Sequence, residues 1–188
     1  MKFRTIVIAF FFALLLTPSM KAAGQTYNDA ISIDPFSLLW GFSATFETKM
    51  SETNSLTLSA MYASWGGGGW FGVTSYNETY FGVGASYRWY IVNWFWDKKK
   101  KHGPIEGFGF GPAVALGFYS GYDGTWDINN GTFGKRTSPS VSIGGEASYK
   151  WVFAENWFLE PVVKLLITIP TYSRGFGDYG GINIGYTW

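Results

Sequence analysis

The chain has 188 residues, 47% of them hydrophobic and 21% aromatic, with 25 glycines, no cysteine and a formal net charge of +1. Its mean hydropathy of only +0.03 means that the apolar residues are interleaved with polar ones; the length suits one domain, and no run after residue 24 approaches the ~18 apolar residues of a membrane-spanning helix. So balanced a charge offers nucleic acid no general attraction, and the missing cysteine excludes disulfides, thiol chemistry and a cysteine-linked lipid anchor.

At the N-terminus, Lys2 and Arg4 precede an apolar core, Ile6 to Leu16, which Pro18 ends; Ala22, Ala23 and Gly24 then supply small residues before Gln25. This is the pattern of a secretory signal peptide over residues 1–24, with one domain over 25–188. Removing it takes away three of the 14 basic residues and none of the 13 acids, so the mature chain is acidic by two. Export without disulfides fits a bacterial envelope.

Beyond residue 28 the dominant period is two, so the elements are strands. The first covers 30–35, where Ile31 and Ile33 alternate with Ser32 and Asp34; residues 36–40 (FSLLW) read equally as strand or as apolar connection. The second, 41–50, places Phe42, Ala44, Phe46, Thr48 and Met50 on one face and Ser43, Thr45, Glu47 and Lys49 on the other. Ser51 to Asn54 has the composition of a tight turn. The third strand, 55–65, sets Leu56, Leu58, Ala60 and Tyr62 against Ser55, Thr57, Ser59 and Met61. Residues 66–79 begin with four glycines and read as a long loop.

The fourth strand, 80–92, carries Phe81, Val83, Ala85, Tyr87, Trp89 and Ile91 opposite Gly82, Gly84, Ser86, Arg88 and Tyr90. Trp94, Phe95 and Trp96 follow, then Lys98 to Lys101 and His102: interfacial aromatics before a basic run able to meet anionic headgroups. In the fifth strand, 105–119, Phe108, Phe110, Pro112, Val114, Leu116 and Phe118 face away from a row of glycine and alanine. Residues 120–138, rich in Gly, Asn, Asp and Thr, read as a second long loop. Strands six and seven, 140–153 and 157–170, form a hairpin whose apolar faces end in Trp151 and Trp157 and whose other faces carry Glu146, Lys150, Glu160 and Lys164 at mid-strand. Residues 171–180 read as a third loop, and strand eight, 181–188, places Ile182, Ile184, Tyr186 and Trp188 on one face.

A soluble sheet hides its apolar face. Here the long apolar faces have aromatic ends while the charges sit mid-strand on the other side, the arrangement of strands that face lipid. The fold expected is all-β: a closed antiparallel eight-stranded transmembrane β-barrel preceded by a signal peptide. Closure is required because an open edge in hydrocarbon leaves backbone groups unpaired. Connections after even strands are mostly short and those after strands three, five and seven long, as in bacterial outer-membrane barrels. The expected lumen charges are Glu47, Lys49, Arg88, Glu146, Lys150, Glu160 and Lys164, since a Lys or Arg on the lipid face costs ~2–4 kcal/mol at the midplane. They should form a salt-bridged plug in an interior that side chains can fill, with inward glycines on strands four and five leaving room for Arg88 and Tyr90. Pro112 and Pro161 remove ladder donors and mark either a lateral gap or bulges.

The chain resembles the small eight-stranded outer-membrane barrel superfamily, of the OmpX-like and OmpA transmembrane-domain type, over residues 28–188. The most specific element is the C-terminal Gly-Tyr-Thr-Trp; Ile184, Tyr186 and Trp188 look like the aromatic-ended last strand that the barrel assembly machinery reads in this class. The segments Ile31-Ser-Ile-Asp-Pro-Phe and Tyr87-Arg-Trp-Tyr are similar to an uncharacterised outer-membrane barrel family, which implies no activity. The resemblance implies a bacterial outer membrane, with lipid and lipopolysaccharide around the wall.

Catalytic chemistry is starved of residues. His102 is the one histidine, it sits in the basic connection, and serines without a base are not nucleophiles. Asp123, Asp127, Asn129 and Asn130 match no calcium-loop spacing, and Gly107-Phe-Gly-Phe-Gly-Pro is no dinucleotide fingerprint. The reading is therefore no enzyme, no cofactor and no metal. The expected role is structural or surface recognition, with the long loops meeting an extracellular protein or glycan. The alternative is a conduit for apolar solutes, and a lipid-modifying enzyme is more distant.

Overall fold

The computed structural model describes residues 27–67, 76–91, 105–127, 132–153, 156–169 and 179–188. The segment read as a signal peptide, Trp94, Trp96, the Lys98–Lys101 run and His102 lie outside the described residues.

Eight strands close into one barrel: β1 Asp29–Ile33, β2 Gly41–Lys49, β3 Asn54–Gly67, β4 Tyr76–Ile91, β5 Gly107–Asp127, β6 Thr132–Phe153, β7 Trp157–Ile169 and β8 Tyr179–Thr187. Each pairs antiparallel with the next, and β8 returns to β1 from Ala30↔Thr187 to Ile33↔Ile184. The start of β1 and the end of β8 meet at the rim of short turns, where Asn28 N–H donates to Trp188 O at 3.0 Å and Met50 N–H to Asn54 O at 2.9 Å. Asn156 clasps the same rim, giving its side-chain amide to Thr187 O at 2.8 Å.

Polarity runs inside out. Along β7, Phe158, Glu160, Val162, Lys164 and Leu166 are buried while Val163, Leu165, Ile167 and Ile169 are exposed, Ile167 at 73%. Leu58, Phe81, Phe110, Leu116, Ile143 and Trp151 are likewise exposed, whereas serines, glutamates, lysines and an arginine are buried. Water could not be the solvent for that outer surface; hydrocarbon can.

The interior is layered. Nearest the short-turn rim, Ala30, Tyr90, Ile105, Val152 and Phe158 form an apolar layer. Toward the opposite rim, Ala63, Tyr80, Ala113, Ala115 and Leu166 form another, with charged side chains between the two. Glycine makes the aromatic filling fit. A Cβ on Gly109 would stand 3.1 Å from the Tyr90 ring, and one on Gly185 only 2.4 Å from the ring of Phe158. Tyr90↔Gly109 and Phe158↔Gly185 are direct cross-strand partners, so each ring lies over its neighbour's bare backbone.

Two expectations need correcting, and one open choice closes. Residues 66–67 and 76–79 are strand rather than loop, and most of 120–138 is strand too: β5 and β6 continue as a ribbon to Asp127↔Thr132, with a register shift between Tyr122 and Trp126. Above the lipid a ladder needs only paired backbone, so apolar alternation disappears while Tyr, Thr, Trp and Phe still favour extended chain. Of the two readings of residues 36–40, the apolar connection holds: Phe36–Leu39 form a 3-10 turn between β1 and β2. At Pro112 and Pro161 the structure has neither lateral gap nor bulge. The β4–β5 partners skip from Ser86↔Ala113 to Trp89↔Phe110, and β6–β7 from Ser148↔Val162 to Trp151↔Leu159, without change of register. Each proline removes rungs and leaves the wall closed.

Close strand approach gives a stability test. A Cβ on Gly111 would lie 1.8 Å from the Tyr87 carbonyl oxygen, whereas one on Gly145 would be 3.5 Å from its nearest neighbour. Gly111→Ala should therefore cost about 1–3 kcal/mol by urea unfolding in lipid vesicles, and Gly145→Ala should change the midpoint little.

Candidate functional site

Inward-facing positions on six strands meet in the middle layer. Glu47 comes from β2, Ser55 from β3, Ser86, Arg88 and Tyr90 from β4, Glu146 and Lys150 from β6, Glu160 and Lys164 from β7, and Asn183 from β8. β5 adds no charge here, because its inner face up to Gly117 is glycine and alanine.

Arg88 is the hub. Its Nε donates to Glu146 Oε1, and one terminal nitrogen donates to both Glu160 Oε1 at 2.7 Å and Glu47 Oε2 at 3.1 Å. Lys150 Nζ donates to Glu47 Oε2, stands 3.9 Å from Glu160 Oε1 and lies 4.5 Å above the Phe158 ring. Lys164 Nζ is 2.9 Å from Glu146 Oε2; these two residues are also direct cross-strand partners. Neutral donors complete the shell. Ser55 and Tyr90 hydroxyls donate to Glu47 Oε1, Tyr90 at 2.7 Å; Ser86 donates to Glu146 at 2.6 Å and Asn183 to Glu160 at 3.2 Å. Three carboxylates thus face three cations, a balance that keeps buried charges tolerable.

Of the lumen charges read from sequence, Glu47, Arg88, Glu146, Lys150, Glu160 and Lys164 come together. Lys49 does not. It stands at the short-turn rim, where Glu52 is nearer than any lumen acid and takes its ammonium at 2.6 Å. Alternation gave Lys49 the inward parity, but at a strand's last residue parity no longer fixes surroundings. The alternation pattern placed Ser55, Ser86 and Tyr90 inward without revealing that they serve the carboxylates. Asn183, polar between Ile182 and Ile184, was the signal overlooked.

Ile184 and Trp188 are exposed on the outer face of β8. Tyr186 packs edge-on against Trp157 at 5.6 Å between ring centroids, and Trp188 lies 6.4 Å from Phe46. Trp151 is exposed beside Phe153, so aromatics encircle the wall at the short-turn rim. Among the described residues no group of His, Cys, Asp and Glu is arranged to hold a metal ion.

No model of a known protein family matches the chain, and no curated protein does. Solved structures do. Ail, the attachment invasion locus protein of Yersinia pestis, crystallised in complex with the heparin analogue sucrose octasulfate, superposes with a TM-score of 0.52 at 11% identity; the match covers 87% of this chain and 100% of that one. The N-terminal β-barrel domain of Pseudomonas aeruginosa OprF gives 0.43 at 15% identity, with the same coverage of each chain. The chain has the fold of the small eight-stranded bacterial outer-membrane β-barrels.

Removing the hub should leave three buried carboxylates undercompensated. Arg88→Ala is expected to lose about 3–5 kcal/mol, read as a lower unfolding temperature in detergent. No conductance should appear in planar bilayers, because Tyr80 and Phe158 still fill the lumen on either side.

Proposed function

We propose that the protein is an integral barrel of the bacterial outer membrane, exported by a signal peptide of residues 1–24 and mature from 25 to 188, that recognises an extracellular protein or uncharged glycan through the β5–β6 ribbon. Its lumen is a structural brace without catalytic or conducting function, and its C-terminal strand is the part handed to the barrel assembly machinery. The observation that carries this reading is the height of the ribbon. The last rung of β4 on β5 is Thr79↔Ser120 and that of β7 on β6 is Val141↔Ile169, while β5 and β6 go on pairing with each other to Asp127↔Thr132.

A two-stranded projection carried on a braced barrel presents a preorganised surface, which lowers the ordering cost of binding. Its sequence brings Tyr119, Tyr122, Trp126 and Phe133 together with glycine, asparagine and threonine, a composition suited to contact. Ail was crystallised with a polyanionic glycan analogue. Here Asp123 and Asp127 offset Lys135 and Arg136, so the ribbon's charge does not select a polyanion.

Cells displaying the full chain should bind members of a glycan or matrix-protein array. A variant lacking residues 121–136 should bind at least tenfold less, yet still run as a heat-modifiable barrel on SDS gels. Equal binding by the deletion variant, or none by the wild type above empty-vector cells, overturns the reading.

A further inference from the structure

In a closed wall the last strand has two neighbours, and here its two ladders differ in length. β8 pairs with β7 from Trp157↔Tyr186 to Lys164↔Tyr179, but with β1 only from Ala30↔Thr187 to Ile33↔Ile184, the shortest ladder among the described residues. That seam is the weakest line of the wall. Its upper rungs lie at lipid depth, where an opened pair finds no other partner. The lower end is different. Trp151, Trp157 and Trp188 mark the interface there, and Asn28, just beyond, is exposed. Water can replace a lost backbone partner at that end, so opening of the seam starts from the short-turn rim.

More than a ladder holds this end. Trp188 N–H donates to Asp29 O at 3.0 Å, and Trp188 O accepts the N–H of Asn28 at 3.0 Å and of Asp29 at 3.2 Å. Thr187 bonds the other way: its N–H donates to Asn156 O at 2.8 Å and its hydroxyl to the same oxygen at 3.2 Å. The Asn156 side chain then reaches over the end of β8. Its Nδ2 donates to Thr187 O at 2.8 Å, and its Oδ1 accepts from the Tyr27 hydroxyl at 3.3 Å. Tyr27 leads into β1 and Asn156 into β7, so this bond joins the two neighbours of β8 directly, between residues 129 apart in sequence. Asn28 O also takes Lys49 N–H at 2.6 Å, which ties the lead of β1 to β2.

An asparagine suits the position. A carboxamide carries donor and acceptor side by side, and here one serves Thr187 and the other Tyr27. Asn156 is 8% exposed and Thr187 fully buried, so water does not compete for these bonds. Above them the seam is backed from the lumen by the Phe158 ring over Gly185; at the rim the amide takes over.

We propose that Tyr27 and Asn156 form a strap that locks the β1–β8 seam at its water-facing end, and that the seam is the first part of the folded barrel to open when the strap is released. Asn156 stands beside Thr187 as soon as β7 and β8 pair as a hairpin. Tyr27 reaches it only when β1 arrives at β8, so the Tyr27–Asn156 bond belongs to the closed barrel alone. A contact made that late slows opening without speeding closure. The strap lies at the rim opposite the ribbon and is independent of what the ribbon binds.

The test is amide hydrogen exchange, followed by NMR on the folded protein in lipid nanodiscs. Asp29 and Trp188 bond across the seam, and by antiparallel alternation Ile31 and Tyr186 are the next such pair. Asn156→Ala should speed exchange at these four amides about tenfold, with the amides of β3 and β4 unchanged. Tyr27→Phe keeps the ring, removes the hydroxyl and should speed the same four about threefold. Adding it to Asn156→Ala should change nothing further, because the hydroxyl acts through that amide. If Asn156→Ala does not fold, Asn156→Asp, which removes the donor to Thr187 and keeps the acceptor for Tyr27, should give the same local acceleration. Unchanged exchange at the seam, equal acceleration around the whole wall, or independent effects of the two substitutions overturns the proposal.

Discussion

A peptide N–H surrounded by hydrocarbon has no partner except another part of the chain, and nearly every feature of this molecule follows from that. The hydrogen-bonded wall must return to its start, so β8 meets β1 although β1 offers only five residues. Where the chain leaves the ladder at Pro35, the N–H groups of Phe36, Ser37, Leu38 and Trp40 find acceptors on Asp34, Pro35 and Ser37 close by. Once the wall is sealed, the two sides of each strand face different solvents. Apolar residues go outward, and the polar remainder has nowhere to go but the axis.

An axis crowded with polar groups is a hazard unless they satisfy one another. Here a forked guanidinium, which presents several donors in one plane, gathers carboxylates from three other strands of the barrel, β2, β6 and β7. A lysine in that position could offer only a point charge. The two lysines take up carboxylate oxygens near the hub, and hydroxyl and amide groups fill much of the remaining shell. Aromatic rings over glycines then occupy the space on either side, which leaves the middle layer little water and makes its pairing stringent.

The sequence made the barrel legible because the bilayer imposes a period of two over each transmembrane run. Glu146 between Gly145 and Ala147, or Lys164 between Val163 and Leu165, has no other plausible direction. The same alternation sets Glu47, Arg88, Glu146, Lys150, Glu160 and Lys164 on the faces that meet at the axis, whereas Lys49, at a strand end, pairs with Glu52. Beyond the lipid the signal vanished altogether. Ser120 to Ser138 pair through backbone atoms, whose hydrogen bonds leave no trace in side-chain alternation, and a stretch that looked like loop is largely ribbon. Phe36 to Trp40 stayed ambiguous for a related reason: an apolar outer surface is what lipid demands of either a strand or a self-bonded turn. Which side chains would pair was not readable either, since a guanidinium's choice among three acids depends on cross-lumen distances.

The skipped rungs fall on particular residues. The pairs missing beside Pro112 include Arg88 with Gly111, and those missing beside Pro161 include Lys150 with Glu160. Arg88, Lys150 and Glu160 are themselves members of the ionic cluster. The hoop is therefore least stitched at the height where its spokes are tightest. A cylinder built this way resists being flattened into an oval by lateral pressure from the surrounding lipids, and its roundness is held from the centre as well as from the rim.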